Sequence, residues 1–313
     1  MNKLSPFKYS HDNKRYHTFN HYLKSNYGQK VFKIPVDAGF TCPNRDGTVD
    51  HTGCSFCSAR GSGDMIIRGT LEKQIEEGFK MMRRKWPTGL AMLYFQAYTN
   101  THDTLDNLKL LYDPYFEDDR FVSISIATRA DCLDDEKIAY FKEKSKQKDL
   151  WLEIGLQSIH ESTNEYIHRA HDTSIVFDVI KKCQDANIKV CIHIINGLPY
   201  ETKEMMLETA QALAKVRVDA IKIHMFHVLK HTMEAYRYKH NPYPLLSMEE
   251  FADIVIQQLE ILPPKTIIER LSGDGLEKDL IAPMWTLKKI NLLNHIDKEM
   301  VRKDTYQGIN YES

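Results

Sequence analysis

Short runs rich in β-branched residues alternate along the chain with segments in which apolar residues recur every three or four positions. The runs predict six strands, at residues 31–36, 90–96, 121–127, 150–155, 188–195 and 219–226. The helical spacing predicts amphipathic helices that begin at Leu71, Asp135, Ser174 and Lys203. Strands that alternate with helices require right-handed crossovers, which favour a parallel sheet. The predicted fold class is therefore α/β, with a sheet curled into a full or partial (β/α)6 TIM-like barrel.

The chain after the sixth strand predicts a short C-terminal helical extension. Residues 247–262 begin with a capping box, because Ser247 is followed three positions later by Glu250, and they end before Pro263. We expect three regions. They are a basic, aromatic-rich N-terminal segment (1–30), the barrel core (31–245) and the C-terminal helical extension (246–313).

Composition narrows the class of protein. The chain has 313 residues, of which 42% are hydrophobic and 27% charged, so it can enclose an apolar core and is not intrinsically disordered. The uncharged stretch from Trp86 to His102 is rich in polar residues, which excludes a membrane span there. The N-terminus has no apolar core typical of a secretory signal, and we expect a cytoplasmic protein.

The N-terminal part of the chain is much more basic than the chain as a whole. Of the first 35 residues seven are basic and one is acidic, so this segment carries +6 while the whole chain carries -1. The basic residues are Lys3, Lys8, Lys14, Arg15, Lys24, Lys30 and Lys33. Aromatic side chains lie between them, a composition typical of surfaces that neutralise phosphates and stack on bases. A solvated, partly disordered arm is the alternative interpretation.

The loop after the first predicted strand carries Cys42, Cys54 and Cys57 in a C-x11-C-x2-C pattern. Three thiolates match a cubane iron-sulfur cluster that keeps one iron open, whereas structural zinc closes its shell with four ligands. Two alternatives stay open: zinc completed by His51, or thiols that bind no metal. The position of the loop favours the cluster, because barrels build active sites at the carboxyl ends of their strands.

Several strings around these cysteines resemble a known family. The segment CPNRDG…GCSFC, followed in order by IATRADC, LEIGLQS, RAH and GLP, is similar to the radical S-adenosylmethionine (SAM) superfamily. Within it the chain resembles the branch of the elongator catalytic subunit, and in particular the YtqA/YhcC-type group, which shares the strings FQAYTNT and ERLSGDG. The resemblance covers roughly residues 34–229.

The resemblance implies a fold, two cofactors and an activity. The fold would be the partial barrel of the radical SAM type. Cys42, Cys54 and Cys57 would hold a 4Fe-4S cluster whose open iron binds SAM. Electron transfer from the cluster would then cleave SAM to a 5′-deoxyadenosyl radical that takes a hydrogen atom from the substrate. Such an enzyme would need an electron donor such as flavodoxin or ferredoxin.

By resemblance, SAM contacts fall at nine further positions. They are Phe56, Gln96, Thr99, Asn100, Thr128, Arg129, Gln157, Arg169 and His193. Phe56 would pack against the adenine. The turn that contains Gln96, Thr99 and Asn100 would bind the SAM amine, although the family's Gly-Gly-Glu string is missing there. A turn stabilised by its own Asn and Thr side chains is the alternative.

The remaining contacts concern the carboxylate and the ribose of SAM. The family's glutamate on the third strand is replaced by Ala127, so Thr128 or Arg129 would take its place. Arg129 and Arg169 offer guanidinium forks to the carboxylate, and Gln157 would bind the carboxylate or the ribose. His193 stands where some relatives carry a ribose-binding aspartate, and a satisfied core histidine is the alternative.

Other side chains are assigned by their surroundings. His224, His227 and His231 are expected at a rim with a role in substrate binding. Cys132, Cys183 and Cys191 are expected to be buried apolar residues. The ERLSGDG string at residues 269–275 favours a simple turn over a segment that closes the barrel and brings Arg270 and Asp274 near substrate.

The resemblance also implies a substrate. Elongator-like enzymes act on the wobble uridine of transfer RNA (tRNA), and we expect this protein to work without their acetyltransferase domain. We therefore expect it to remodel a wobble side chain that other enzymes have installed. The alternatives are a radical SAM enzyme acting on a protein or a small molecule, and a zinc-stabilised binding protein without catalysis.

Overall fold

The computed structural model describes residues 6–10, 12–273 and 275–312, and places seven strands of this part of the chain in one sheet. In chain order the strands are β1 (Val31–Val36), β2 (Leu90–Phe95), β3 (Phe121–Thr128), β4 (Asp149–Gln157), β5 (Lys189–Asn196), β6 (Ala220–Met225), β7 (Val228–Leu229), β8 (Ile267–Arg270) and β9 (Leu280–Ala282). The order across the sheet is β1-β2-β3-β4-β5-β6-β8, and β7 pairs with β9 in a separate antiparallel ribbon. The pairs β1/β2, β2/β3, β3/β4 and β6/β8 are parallel.

Helices connect most of these strands. They are α1 (Phe19–Tyr27), α2 (Leu71–Lys85), α3 (Leu105–Glu117), α4 (Asp135–Ser145), α5 (Glu161–Tyr166), α6 (Thr173–Asp185), α7 (Lys203–Val216), α8 (Met233–His240), α9 (Met248–Ile261) and α10 (Lys289–Arg302). None of the helices in the described ranges combines the length and the apolar character that a membrane crossing requires.

All six predicted strands are confirmed, with ends that differ by at most two residues. Residues along β2 and β3 are almost continuously buried, as expected for strands that are covered on both faces. The predicted capping box of α9 is also confirmed, because Ser247 accepts from the backbone of Glu250 while the Glu250 carboxylate accepts from the backbone of Ser247.

The chain divides into two compact units. One unit contains residues 23–155 and 168–191, and its core includes Phe95 and Tyr112, whose ring centroids lie 4.9 Å apart. The other contains the described residues up to Tyr22 together with residues 156–167 and 192–312. In this unit α9 packs against α7 and α10, and Phe251 contacts Trp285 at a ring distance of 5.6 Å.

The described part of the N-terminal segment packs onto the C-terminal residues of its own unit. Tyr16 is buried, and Arg15, only 2% exposed, donates to Asp304 at 3.0 Å and to the carbonyl of Thr305 at 3.1 Å. Lys14 forms an ion pair with Asp297. The interpretation as a solvated arm is therefore wrong for residues 14–16, and Arg15 is not placed to contact phosphate.

The segment that begins at Glu269 differs from the expected turn. Glu269 and Arg270 end β8, the seventh strand of the sheet, which pairs with β6. Glu269 also forms a buried ion pair with Lys222 of β6 at 3.0 Å. The prediction of a simple turn is therefore wrong for these two residues, and Asp274 lies outside the described residues.

Candidate active site

The loop that carries the cysteine triad follows β1 and folds through a series of tight backbone turns. The backbone N–H groups of Arg45 and Asp46 donate to the carbonyl of Cys42 at 2.8 and 3.1 Å, and Cys57 N–H donates to the carbonyl of Cys54 at 3.0 Å. The Arg45 guanidinium donates to the carbonyl of Cys57 at 2.9 Å and so joins the two halves of the loop. These bonds hold the loop by its backbone and leave the thiols available as ligands.

The three thiols are close enough to influence one another electrostatically. Burial raises the pKa of the Cys54 thiol, and it raises that of Cys57 to about 12, with the neighbouring thiols adding to both shifts. Neighbouring thiols with raised pKa values suit a metal site, because a bound metal ion supplies the positive charge that the thiolates need.

A single zinc ion and a cubane cluster make different demands on three thiols. Within the described ranges, no three His, Cys, Asp or Glu side chains lie close enough together to hold one metal ion. Tetrahedral zinc needs every sulfur about 2.3 Å from one point, whereas a cubane cluster gives each thiolate its own iron.

Asn44 is a member of the site that the sequence analysis did not single out. It is fully buried, and its amide Nδ2 donates to Cys54 Sγ at 3.6 Å and to the carbonyl of His168 at 2.6 Å. Its Oδ1 atom has no hydrogen-bond partner among the described residues. An N–H donor beside a cysteine sulfur is a feature that tunes metal-sulfur centres. The signal in the sequence was its position two residues after Cys42.

Arg129 lies beside the thiols but is engaged by the protein. Its Nε and Nη2 atoms donate to the two carboxylate oxygens of Asp131 at 2.9 and 2.8 Å, and its Nη1 atom donates to the carbonyl of Arg169 at 2.8 Å. The positive charge of Arg129 lowers the pKa of Cys54 against the effect of burial. In this arrangement Arg129 supports the backbone of Arg169 and the charge of the thiolates, and its fork is not open to a carboxylate.

Arg169 is held in an unusual backbone segment. The residues on either side of it, His168 and Ala170, have φ values of 54° and 62°, a left-handed conformation that is costly for residues other than glycine. Arg169 itself is 1% exposed and donates to the carbonyl of His171 at 2.9 Å and to the hydroxyl of Thr173 at 3.0 Å. Strain of this kind persists where the surrounding structure needs a particular side chain in place.

The predicted amine-binding turn after β2 is organised by Asn100. Its Nδ2 atom lies within hydrogen-bond distance of three carbonyls, those of Phe95, Ala97 and Ala127, at 2.9 to 3.2 Å. Its Oδ1 atom has no partner within the part of the chain that the structure describes. Asn100 thus ties the end of β2 to β3, as in the alternative of a turn stabilised by its own side chain.

Three further candidates join this turn to its neighbours in the same unit. Thr99 N–H donates to the carbonyl of Thr41 at 3.2 Å, which places the turn against the cysteine loop. Gln96 Nε2 donates to the carbonyl of Ser62 at 2.7 Å, farther along that loop. The buried hydroxyl of Thr128 lies 2.5 Å from that of Thr101. The structure therefore brings Thr99 and Gln96 to the cysteine loop.

The remaining three candidates for SAM contacts are Phe56, Gln157 and His193. Phe56 is half-buried inside the cysteine loop. Gln157 and His193 belong to the other compact unit. Gln157 ends β4 with a left-handed φ of 61°, and its Oε1 atom is buried with no partner among the described residues. His193 is half-buried on β5, where its ring lies 5.3 Å from that of His224.

Comparison with known proteins decides the family. Residues 42–213 match the radical SAM superfamily, a segment that starts at the first cysteine of the triad. The chain belongs to the radical SAM superfamily. Residues 218–302 match the C-terminal domain of radical SAM proteins. Radical SAM enzymes use a 4Fe-4S cluster and SAM, so the expected cofactors are confirmed. The α/β fold class of the radical SAM type is confirmed as well.

Relatives within the superfamily agree with the expected branch. The chain is 44% identical to "Uncharacterized protein YtqA" of Bacillus subtilis over 98% of its own length and 96% of that protein. It is 31% identical to "Protein YhcC" of Escherichia coli over 84% of its length and 85% of that protein. More distantly, it is 28% identical to "Elongator complex protein 3" of Schizosaccharomyces pombe over 49% of its length and 28% of that protein.

A solved structure shares the fold of this radical SAM chain. The archaeal Methanocaldococcus infernus Elp3 superimposes with a TM-score of 0.66 at 16% sequence identity. The match covers 89% of this chain and 64% of that one. At this identity the similarity shows the fold alone.

Proposed function

We propose that Cys42, Cys54 and Cys57 bind a 4Fe-4S cluster and that the surrounding residues bind SAM. The observation that carries this proposal is the Asn44 amide, which donates to Cys54 Sγ in the loop where Cys42 and Cys54 lie close enough to Cys57 to raise its pKa. When bound, the cluster supplies the electron that splits SAM into methionine and a 5′-deoxyadenosyl radical.

The protein's own residues prepare this chemistry in three ways. Asn44 donates to one ligand sulfur, and an N–H···S bond stabilises the additional negative charge of a reduced cluster. Arg129 places a positive charge near Cys54, which favours the thiolate form. The buried Arg169 guanidinium is the cation we assign to the carboxylate of SAM, on its resemblance to the family's arginine at this position.

Single alanine substitutions of the three cysteines test the ligand assignment. Cys42→Ala, Cys54→Ala and Cys57→Ala should each lose most of the iron and sulfide taken up during anaerobic reconstitution, and each should fail to form 5′-deoxyadenosine from SAM. Cys183→Ala is the matched control, because Cys183 is a buried thiol on α6. Wild-type iron content in any of the three variants would remove that cysteine from the ligand set.

The substrate we infer is the side chain of a modified wobble uridine in tRNA. The support is the similarity to Elongator complex protein 3 together with the +6 charge of the first 35 residues. Because Arg15 and Lys14 are held in ion pairs, Lys24, an exposed residue on α1, is the better candidate for a phosphate contact in this segment. An electron donor such as flavodoxin or ferredoxin would complete the reaction.

An aromatic surface beside α8 supports an RNA substrate. Tyr200 and Tyr236 are 65% and 67% exposed, which is unusual for large aromatic side chains. Tyr200 stands edge-on to Tyr166 at 5.2 Å, and the Arg237 guanidinium lies 4.2 Å from the Tyr166 ring. Exposed tyrosines with a nearby arginine form the type of surface on which unpaired bases stack.

The charge and backbone of this surface agree with that interpretation. The exposed charged side chains near the end of α8 are basic, Lys239 and His240, while its Glu234 is buried and paired with Arg237. Tyr200 has a left-handed φ of 68°, a strained conformation for an exposed aromatic residue. Strain maintained at a solvent-facing side chain is more typical of a binding residue than of a packing residue.

Nucleoside mass spectrometry tests the substrate. Transfer RNA from a deletion strain should accumulate an unprocessed wobble nucleoside, and wild-type protein should restore the profile whereas Cys57→Ala should not. An unchanged nucleoside profile would contradict the tRNA proposal and would favour a protein or small-molecule substrate.

Binding of an anticodon stem-loop RNA tests the aromatic surface separately. The double change Tyr200→Ala with Tyr236→Ala should weaken binding about fivefold or more, because each stacked base contributes on the order of 1 kcal/mol or more. Leu110→Ala, a change at another highly exposed apolar side chain, is the control. Equal affinities of the wild-type protein and the double variant would exclude stacking at these tyrosines.

A further inference from the structure

Basic side chains gather at the amino ends of β1 and β2. Residues 23–30 lead into β1, and residues 78–89 form the second half of α2 and the turn before β2. Neither stretch contains an aspartate or a glutamate. Their basic residues are Lys24, Lys30, Lys80, Arg83, Arg84 and Lys85. Both stretches belong to the same compact unit as the cysteine loop.

Trp86 brings the two stretches together. It directly follows the last residue of α2, and its ring stacks on that of Phe32 in β1 at a centroid distance of 6.4 Å. The Lys85 ammonium lies 4.6 Å from the centroid of the Trp86 ring, and the Lys30 ammonium lies 4.9 Å from it. Because Lys85 ends α2 and Lys30 precedes β1, one indole gathers cations from two elements.

The cations of these two stretches lie close enough to repel one another. Burial lowers the pKa of Lys30, and the positive charges of Lys24 and Lys85 lower it further. Repulsion of this kind is relieved when an anion binds between the cations. The dipole of α2 favours basic residues in its last turn, but it does not account for Lys24, which belongs to α1.

The outer cations form an exposed basic surface, which consists of Lys24, Arg83, Arg84 and Lys85. None of its members forms an ion pair with a carboxylate in the described part of the chain. Acidic side chains at the amino ends of β3 and β4 pair with other cations. Asp118 pairs with Arg120 at 2.7 Å, and Asp149 pairs with Lys189 at 2.6 Å. The basic surface is therefore available to an anion from outside the chain.

We propose that this basic surface binds the phosphate backbone of the RNA substrate. The assignment of that RNA as the substrate rests on the proposed function, whereas the binding of RNA phosphates does not. Lys and Arg side chains neutralise phosphates whatever the base sequence, and such contacts position a nucleic acid without reading it. An ammonium beside an indole keeps its N–H donors, so Trp86 holds Lys85 in place and leaves it able to donate to a phosphate.

The position of the basic surface favours RNA over an acidic electron donor. The surface lies at the amino end of β1, whereas the cysteine loop follows the carboxyl end of the same strand. The six residues of β1 separate the two by roughly 20 Å, at about 3.3 Å per residue. An electron donor must come close to the cluster, whereas an RNA carries phosphates along its whole length. The basic surface therefore contacts phosphates away from the reacting nucleoside.

The salt dependence of tRNA binding to the full-length protein tests the basic surface. The probe is a tRNA transcribed in vitro, and its Kd is measured at several concentrations of sodium chloride. The triple variant Arg83→Gln, Arg84→Gln and Lys85→Gln should bind about tenfold or more weakly at low salt. It should also reduce the slope of log Kd against log salt by about 2 to 3, because each lost phosphate contact removes roughly 1 from the slope. Lys24→Gln should reduce the slope by roughly 1.

A matched triple variant separates phosphate contact from net charge. The variant replaces three exposed lysines that pair with carboxylates, Lys146→Gln, Lys181→Gln and Lys182→Gln. It removes the same charge from the protein and should keep a slope close to that of the wild type. Equal losses of slope in the two triple variants would overturn the proposal, since overall charge would then explain the binding.

A charge-retaining variant separates phosphate contact from damage to α2. Arg83→Lys, Arg84→Lys and Lys85→Arg together change all three side chains in the last turn but keep their charge. This variant should retain the slope of the wild type, because the slope counts neutralised phosphates. A slope as low as that of the triple glutamine variant, or an unaltered slope in the triple glutamine variant, would contradict the proposal.

Two further measurements separate the basic surface from its rival partner and from the proposed function. If the triple glutamine variant loses affinity for an acidic flavodoxin but not for tRNA, the surface belongs to the electron donor and the proposal fails. If the slope falls as expected but the nucleoside profile of the deletion strain is unchanged, the RNA-binding surface stands and the wobble-uridine function fails. If the deletion strain accumulates an unprocessed nucleoside while the slope is unaltered, the surface fails and the proposed function stands.

Discussion

Asn44 is placed to tune the metal-sulfur site that we propose. It lies inside the cysteine loop, donates to Cys54 Sγ and to the carbonyl of His168, and is fully buried. It therefore links the cysteine loop to the strained segment around Arg169. Residues that donate to ligand atoms orient those ligands and tune the metal they hold.

Replacement of Asn44 should weaken the cluster without removing a ligand. Asn44→Ala is expected to lower retention of iron about tenfold or more and to make the reduction potential more negative, because the N–H···S bond is lost. Iron release to a chelator and a spectroscopic redox titration measure the two effects. Asn107→Ala, a change at an exposed asparagine on α3, is the control, and an unaltered potential in Asn44→Ala would contradict the role we assign.

His171 should make the stability of the protein depend on pH. Burial, together with the charges of Arg169 and Arg129, lowers its pKa to about 4. The folded pKa lies below the unfolded one, so the unfolded state binds more protons between the two values and stability falls as the pH decreases through this range. Between about pH 7.5 and about pH 5 we expect a loss of about 2 kcal/mol from this group.

Urea unfolding at the two pH values measures this loss, and His171→Gln provides the comparison. The variant should lose less stability than the wild type on acidification, by about the stated amount. Parallel losses in the two proteins would show that His171 is protonated as easily in the folded protein as in the unfolded one.

The sequence predicted the grouping of the three cysteines better than it predicted the hydrogen bonds of the candidate SAM residues. Spacing alone brings Cys42, Cys54 and Cys57 into one loop, because a short segment cannot separate them far. Arg129 was expected to bind the SAM carboxylate, but its guanidinium is ion-paired with Asp131. Spacing shows that a partner is within reach but does not show which hydrogen bonds form.

At the level of secondary structure, continuous apolar runs made the first six strands predictable. β8 was not predicted because it has only four residues, two of them charged. Its partner strand, β6, lies far from it in the sequence. α3 also escaped prediction, and it contains Pro114, a residue that normally interrupts helices. Whether these two segments form a strand and a helix therefore depends on tertiary contacts, which local sequence preference does not reveal.

A buried carboxylate on β4 joins side chains of β1 and β3. Glu153 of β4 is 1% exposed, pairs with Lys33 of β1 at 2.9 Å and accepts a hydrogen bond from Ser125 of β3. Lys33 also lies 4.6 Å from the ring of Tyr94 on β2. One carboxylate thus holds side chains of three strands in place.

Removal of that carboxylate's charge should destabilise the sheet. Glu153→Gln removes the buried carboxylate charge that pairs with the Lys33 ammonium. It should lower the free energy of unfolding by about 2 kcal/mol, less than for a wholly buried pair because Lys33 is partly exposed. Urea unfolding measures the change. The double variant Lys33→Met with Glu153→Leu should recover part of it, and the surface change Glu143→Gln should cost less than about 0.5 kcal/mol. A loss in Glu153→Gln no larger than in Glu143→Gln would contradict this account.

For the molecule as a whole, the family match and the cysteine loop point to the same part of the chain. The superfamily match begins at Cys42, and the chain resembles YtqA and YhcC over most of its length. The net charge of the N-terminal segment did not predict its contacts, because Arg15 and Lys14 pair with acidic residues near the end of the chain. Charge counts describe a segment but not the ion pairs that tertiary structure forms.

Electron paramagnetic resonance of the reduced, anaerobically reconstituted protein, recorded with and without SAM, tests the central claim most directly. A cluster with one open iron should contain about four irons per chain, and its signal should change when SAM binds to that iron. Asn44→Ala should show an altered signal, and Cys57→Ala should show none. A protein that holds one zinc ion and no iron, or a cluster signal that SAM leaves unchanged, would contradict the account.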